Sequence, residues 1–290
     1  MKVTSLSDVV RRPRRVAVGE FDGVHLGHRE VIRGSDTVLT FEPHPLQVIR
    51  PEAAPRLLTS LQTRAELFEG LAVEEMVVIE FDADFAAQAP QAFVDDVLVG
   101  ALDARHVSVG QNFRFGHRAQ GDTALLAEQA AFETRVVPLV EVEGEIVSST
   151  HIRGLVLAGE VDRAARLLGS PYLVRGDVVH GDRRGCDLGY PTANLVPDEA
   201  LVTPGHGVYA ALADGVPAAV NVGVRPTFGT GRGVLVEAYL IDWSGDLYGR
   251  ELRVEFLRRL RGERAFSTTD ALIDQMARDV VEARATVAAA

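Results

Sequence analysis

The chain has 290 residues, of which 47% are hydrophobic, and a formal net charge of −11. This length and apolar content suit two packed domains with separate cores, and they exclude a disordered chain. The acidic balance argues against nucleic acid as a partner.

Lys2 is the only lysine, so no phosphate-binding loop of the Gly-x4-Gly-Lys-Ser/Thr kind can be written in the interior. Phosphate chemistry here must use arginine, histidine, backbone amides or a metal. The one dense basic run, Arg11-Arg12-Pro13-Arg14-Arg15, reads as a solvated lead into the first strand. Val16-Ala17-Val18 then runs into Gly19-Glu20-Phe21-Asp22-Gly23-Val24-His25-Leu26-Gly27-His28, which reads as a buried strand, a tight loop and a first helical turn. Such a loop offers free amides to an anion, and histidines at i and i+3 share one helix face. We read the stretch as a triphosphate site, with the bland alternative of two structural histidines. A metal reading lacks a third ligand of clear spacing.

A short helix over 28–34 and a strand over 37–41 follow. The second strand ends in Glu42-Pro43-His44-Pro45, an ordered loop fixed by two prolines. The pattern then predicts a helix over 59–71, a strand over 76–80, a helix over 90–101 with Phe93, Val94, Val97 and Leu98 on one side, and a strand over 106–109. After the loop Gly110-Gln111-Asn112-Phe113-Arg114-Phe115-Gly116-His117 come a helix over 122–131 and a strand over 135–140. Alternating strands and helices argue for a parallel α/β sheet covered on both faces, with ligands at the C-terminal strand ends. The next helix starts at Ser148-Ser149-Thr150 and carries Arg153 in its first turn. It is either a plain capped helix or a cradle for the departing phosphates.

A helix over 161–168 leads to Pro171, where the boundary is placed: 1–170 and 171–290. Beyond it, short strands separated by Gly and Pro suggest a small barrel or sandwich, closed by a helix over 267–285. Ser267 and Asp270 make a possible capping box there, and Leu272, Ile273, Met276 and Val280 mark the expected buried face. The loop from 176 to 189, with Gly181, Gly185 and Gly189, could wrap phosphates through its amides. It also holds Cys186, the only cysteine, to which no chemistry is assigned. A lone cysteine excludes a disulfide framework and fits a reducing cytoplasm. Thr192 and Asn194, at i and i+2, face one side of a strand and suit Mg²⁺. Glu237 shares a face with Leu235, Tyr239 and Ile241, as either a rim residue or a general base. No apolar run reaches membrane-spanning length, and no secretory signal is apparent.

Taken in order, Gly-x-Phe-Asp-Gly-Val-His-Leu-Gly-His, Thr-Phe-Glu-Pro-His-Pro, Gly-Gln-Asn-Phe-Arg-Phe-Gly and Ser-Ser-Thr-His-Ile-Arg resemble the adenylyltransferase module of bacterial bifunctional riboflavin kinase/FMN adenylyltransferases. Leu188-Gly-Tyr-Pro-Thr-Ala-Asn194, Asn221-Val-Gly-Val-Arg-Pro-Thr-Phe228, Val236-Glu237 and Asp246-Leu-Tyr-Gly249 continue the match through the second half. The resemblance implies a Rossmann-like nucleotidyltransferase domain followed by a riboflavin kinase β-barrel, turning riboflavin into FMN and FMN into FAD with Mg-ATP. His25 and His28 would stabilise the adenylyl transition state. Gly19, Phe21, Asp22, Gly27, Asn112, Ser149, Thr150 and Arg153 would serve the nucleotide, and Pro43, His44 and Pro45 the flavin. Thr192 and Asn194 would hold Mg-ATP, and Glu237 would deprotonate the ribityl 5′-hydroxyl. The family places a longer helix after the second histidine than the eight or so residues found here. A kinase-only chain with a degenerate first module, or a flavin-binding regulator without turnover, are the alternatives.

Overall fold

Val16, Val18, Leu39, Phe41, Val77, Ile79, Val107 and Val109 alternate along their strands with Ala17, Val38 and Met76, and all are buried. Neighbouring residues of a strand face opposite ways, so this sheet needs cover on both sides. The computed structural model describes residues 1–180, 189–224 and 234–290 and divides into two units, Met1–Ser149 and Thr150–Ala290. In the first, β1 (Lys2–Ser5), β2 (Arg14–Val18), β3 (Thr37–Glu42), β4 (Glu75–Glu80), β5 (Ala104–Gly110) and β6 (Glu133–Val137) form a parallel sheet in the order β1-β4-β3-β2-β5-β6. Helices α1 (Leu26–Ile32) and α3 (Leu61–Gly70) supply Val31, Ile32 and Phe68 to the Ala17 face. Phe93, Val94, Val97 and Leu98 cover the other, from a π-helical segment (Phe93–Ala101) that continues a short turn at Pro90–Ala92.

Four sequence expectations need correction in this unit. The edge strand β1 carries no alternation strong enough to announce it. The basic run is not solvated throughout: Arg14 is 2% exposed and donates from Nε and Nη2 to Glu75 Oε2 at 3.3 and 2.9 Å, and from Nη1 to the Leu102 carbonyl. Burial pushes the Glu75 carboxyl up, but hydrogen bonds from Arg14 and Thr4 outweigh it and hold it below its usual range. The helix expected over 122–131 spans only Thr123–Ala127, because the Gln129 amide and the Thr134 hydroxyl take the Leu125 and Leu126 carbonyls. The last strand ends at Val137, followed by a two-stranded ribbon, β7 (Glu141–Val142) with β8 (Glu145–Ile146).

In the second unit, β9 (Tyr172–Val179), β10 (Ala193–Pro197), β11 (Gly207–Ala213), β12 (Val216–Val224), β13 (Val234–Leu240) and β14 (Glu251–Arg261) close into an antiparallel barrel in the order β10-β13-β12-β11-β14-β9. Closure leaves no exposed sheet edge. The helix α8 (Val161–Leu168) packs against β14 and β9. The C-terminal helix, Thr269–Ala288, is capped by Thr268 rather than Ser267, its Oγ1 accepting from Ala271 N at 3.2 Å. Its most buried positions are Asp279 and Ala283; the expected Leu272, Ile273, Met276 and Val280 are half-buried, Val280 packing against the Ala210, Ile241 and Ala283 cluster, while Asp279 was not expected. The reason is electrostatic: Arg261, at the end of β14, grips both Asp279 oxygens at 2.8–3.1 Å, and the Gln275 amide donates to Oδ1. A bidentate pair fixes rotation about the helix axis more tightly than an apolar stripe does.

Candidate functional sites

Chain order reverses direction in the sheet around β2, since β3 lies on one side and β5 on the other. The crevice beyond the carboxyl ends of β2 and β5 is therefore where a parallel sheet of this kind binds ligands. Gly19, at the end of β2, makes a last ladder-like bond to the Leu39 carbonyl at 3.1 Å. The chain then turns through three left-handed residues, Phe21 (φ 53), Gly23 (φ 87) and Val24 (φ 43). A β-branched residue there is strained, and such strain persists only where the surroundings fix it. Here they do. Asp22 is 4% exposed, and its Oδ1 accepts from the amides of Leu58 and Thr59 at 2.8 and 3.0 Å. Gly23 N–H donates to Thr59 Oγ1 at 2.9 Å, and Ser149 Oγ donates to the Asp22 carbonyl at 2.9 Å. The Phe21 ring packs edge-on against His28 and Phe68.

The turn delivers the two histidines as a stack. Their ring centroids are 3.5 Å apart, with planes 15° from parallel. His25 caps α1, its Nδ1 accepting from His28 N–H at 3.2 Å, so the neutral ring carries its proton on Nε2. A Cβ at Gly27 would lie 3.2 Å from His25 Cε1, so the stack needs glycine there. Burial pushes His25 down to about 4. Burial first, then His25 and Arg64, pushes His28 well below its usual value. Both imidazoles are neutral at pH 7, and His28 Nδ1 is buried with no hydrogen-bond partner among the described residues. A buried polar nitrogen left open at a strained turn is a group awaiting a ligand. Since α1 has seven residues, the imidazoles rather than a helix dipole carry the electrostatic case.

Other loops meet the same edge. Arg64 is 3% exposed and ties Glu20 O, Thr40 Oγ1 and Glu42 Oε2 together at 2.8–3.3 Å. His44 is buried at the start of α2 (Pro45–Ile49), where its Nδ1 accepts from Leu46 N–H at 3.1 Å and its Nε2 pairs with Glu20 Oε2. Both its nitrogens are thus engaged, and Pro43 and Pro45 flank it half-buried. Asn112 is exposed in the tight turn after β5. The helix α7 (Ser149–Ala158) starts at the expected place. Its Ser149 belongs to the first unit, whereas Thr150 and Arg153 belong to the second. Thr59, Arg64 and Glu20 had no assigned role. Of these only Arg64 leaves a trace in the sequence, a cation four residues before Phe68 on a helix whose other buried residues are Thr63 and Phe68.

In the barrel, Asn194 on β10, Glu237 on β13 and Asn221 on β12 stand in one row, paired directly in register. Asn194 is 7% exposed, and Glu237 and Asn221 are half-buried. Asn221 Nδ2 donates to Glu237 Oε2 at 3.0 Å. Thr192, two residues before Asn194, lines a cavity of about 320 Å³ with Val178, Leu240, Trp243, Asp246 and Tyr248. Gly189 is exposed with φ +86. Gly181, Gly185, Cys186, Leu188 and Arg225–Phe228 lie outside the described residues. Among the described residues, no three His, Cys, Asp or Glu side chains gather as a metal site. The oxygens of Thr192 and Asn194 beside a carboxylate still fit a hard cation that keeps most of its water and phosphate ligands.

Known proteins resemble both halves. Residues 8–151 match the FAD synthetase family model, and residues 168–287 match that of riboflavin kinase. Proteins named bifunctional riboflavin kinase/FMN adenylyltransferase are 37% identical in Listeria monocytogenes, over 93% of this chain and 91% of that one. The same name applies at 35% identity in Escherichia coli strain K12 (97% and 95%) and at 34% in Bacillus subtilis (92% and 90%). A crystal structure from Streptococcus pneumoniae, described as a macrolide-efflux protein, is 31% identical with a TM-score of 0.89 over 98% of this chain and 99% of that one. Among the described residues here, no helix is long and apolar enough to cross a membrane.

Proposed function

The chain belongs to the family of bifunctional riboflavin kinase/FMN adenylyltransferases, and we propose that its two halves divide the reactions as the matched segments suggest. The barrel unit phosphorylates riboflavin to FMN, and the sheet unit adenylylates FMN to FAD. Both family segments are present, which leaves the kinase-only and regulator alternatives without support.

In the sheet unit, an oxygen of the FMN phosphate attacks the α-phosphorus of ATP. The bond to the bridging oxygen breaks, and pyrophosphate leaves with the electron pair. The observation that carries this assignment is the neutral, stacked His25–His28 pair with its open Nδ1 at the carboxyl edge of β2. His25 Nε2–H and the His28 ring donate toward the α-phosphate as charge builds on it, in a setting already desolvated. Gly19, Phe21, Asp22 and Gly27 act by holding that pair, and the Asp22 carboxylate does so through the Leu58–Thr59 amides rather than by touching nucleotide. Asn112 is assigned to the nucleotide, and the Pro43-His44-Pro45 loop to the flavin, by the motif. Ser149, Thr150 and Arg153 are assigned to pyrophosphate on the motif alone.

In the barrel, Glu237 takes the proton of the ribityl 5′-hydroxyl as that oxygen attacks the γ-phosphorus and ADP leaves. Thr192 and Asn194 hold Mg²⁺, which supplies charge neutralisation on the phosphates. Gly181, Gly185 and Gly189 are assigned to the phosphate loop by the motif. We place these reactions in the cytoplasm, with ATP, riboflavin and FMN as the partners.

Incubation with riboflavin, ATP and MgCl₂, followed by chromatographic separation of the flavins, is expected to show FMN and then FAD. FMN alone would sink the adenylyl assignment. His28→Ala should cut FAD formation from FMN about 10²- to 10³-fold, the usual loss for a transition-state donor, while sparing FMN formation. Glu237→Gln should do the converse.

A further inference from the structure

We infer that Asn221 is the positioning residue of the kinase site, holding Glu237 through one carboxylate oxygen so that the other faces the hydroxyl it deprotonates. The inference rests on the assignment of Glu237 as the base. Asn221 and Glu237 are directly opposite on β12 and β13, and the Asn221 amide donates to Oε2 at 3.0 Å. This bond is not needed to hold the strands: the β12–β13 ladder runs unbroken from Ala218↔Leu240 to Val224↔Val234. Nor does Asn221 supply the packing, because Val220 and Val222 on either side are fully buried and face the other way. Its remaining consequence is the orientation of a carboxylate, which on a flexible glutamate stem is otherwise free to rotate away.

A second contact sharpens the choice of residue. A Cβ at Gly223 would lie 3.6 Å from Asn221 Nδ2 and 3.1 Å from Glu263 Oε1. The Asn221 amide and the Glu263 carboxylate thus both border the Gly223 backbone, and the amide is a neutral donor to Glu237. Among the described residues, Tyr239 lies two positions along β13 with its ring against Tyr190, Asp177 lies two positions before Val179, the β9 partner of Asn194, and His206 Nδ1 is 3.6 Å from Glu263 Oε2. Asn194 flanks Glu237 from β10 and carries no charge. An aspartate at 221 would set a third acid in this cluster and remove the donor.

Two variants test the role. Asn221→Val removes the donor and favours strand structure; Asn221→Asp keeps the shape but replaces the neutral donor with a negatively charged acceptor. We expect Asn221→Val to lower kcat for FMN formation about 10- to 100-fold, the cost of a misplaced catalytic group, with KM for ATP and riboflavin within about twofold. In Asn221→Asp kcat should fall at least as far as in Asn221→Val, again with KM within about twofold, because a carboxylate beside Glu237 repels the group that the amide holds. FAD formation from supplied FMN should be unchanged in both, and an unchanged thermal unfolding transition of the barrel shows that the kinase unit is folded. Unchanged kcat in both variants would overturn the inference, as would a change confined to KM or a parallel loss of FAD formation. Glu237→Gln separates the two claims. If it retains kinase turnover, the base assignment has failed; if it is inactive while Asn221→Asp behaves as wild type, only the positioning role has failed.

Discussion

His25 is neutral in the folded protein because burial lowers it to about 4, against 6.5 for a free imidazole. The linkage has a definite sign. Between these two values the unfolded chain binds a proton that the folded chain refuses, so stability is full above about pH 6.5 and falls as pH drops toward 4. For His25 alone the loss is about 3 kcal/mol at most, and His28, lowered by burial and by its neighbours, adds in the same direction. Thermal unfolding of the sheet unit, followed from pH 8 to 4.5, should show this slope, and His25→Asn should flatten it. Bound polyphosphate favours the charged imidazoles. Calorimetry of ATP binding in buffers of different ionisation enthalpy should therefore record proton uptake near pH 6, shrinking toward pH 8. A wild type with no proton uptake at pH 6 would mean that the histidines do not face the phosphates.

At the scale of elements, α1 isolates what Gly27 does. Its φ lies outside the left-handed region and it sits within a helix, so alanine costs nothing in backbone strain and gains about 0.5–1 kcal/mol in helix propensity. The added Cβ meets the His25 ring at 3.2–3.3 Å instead. Gly27→Ala should keep or raise the melting temperature while lowering FAD formation about tenfold or more, since a displaced catalytic group is costly. Equal loss of stability and activity would show a merely structural glycine. This element also marks how far the sequence could be read. Strand, turn and paired histidines were legible because periodicity, glycine and the motif are local signals. Asp22 reads as a ligand residue, yet its carboxylate is engaged by the amides of Leu58 and Thr59, 36 and 37 residues away in sequence. No local pattern encodes a partner at that distance. The short connection after His28 reads as a departure from the family. It suffices because Val31 and Ile32 bury within α1 and Gly34 (φ 78) turns the chain directly into β3. The terminal helix is legible only in part for a related reason: its apolar stripe is local, but the partner of Asp279, Arg261, lies on another element. Asp279→Asn leaves the half-buried Arg261 without its carboxylate. It should destabilise the barrel by about 3 kcal/mol, read as a lower melting temperature and kinase loss before adenylyl loss.

For the whole molecule, the question is whether the two reactions need one another. His28 stands on a parallel sheet with its own two-sided core, and Glu237 stands in a barrel closed by its own ladder. The side chains that fix each of them, Phe21 and Asp22 for the first and Asn221 for the second, come from the same unit as the residue they fix. A defect at one centre should therefore leave the other chemically intact. His28→Ala makes FMN and stops; Glu237→Gln waits for FMN and then adenylylates it. Mixed in equal amounts with riboflavin and Mg-ATP, the two variants should restore FAD, after a lag in which free FMN accumulates. The lag should shorten in proportion as the concentration of the Glu237→Gln chain is raised, because the intermediate passes through solution to reach it. Failure of the mixture, while each variant retains its single activity, would mean that FMN is handed on without release, and the two sites would have to be treated as one.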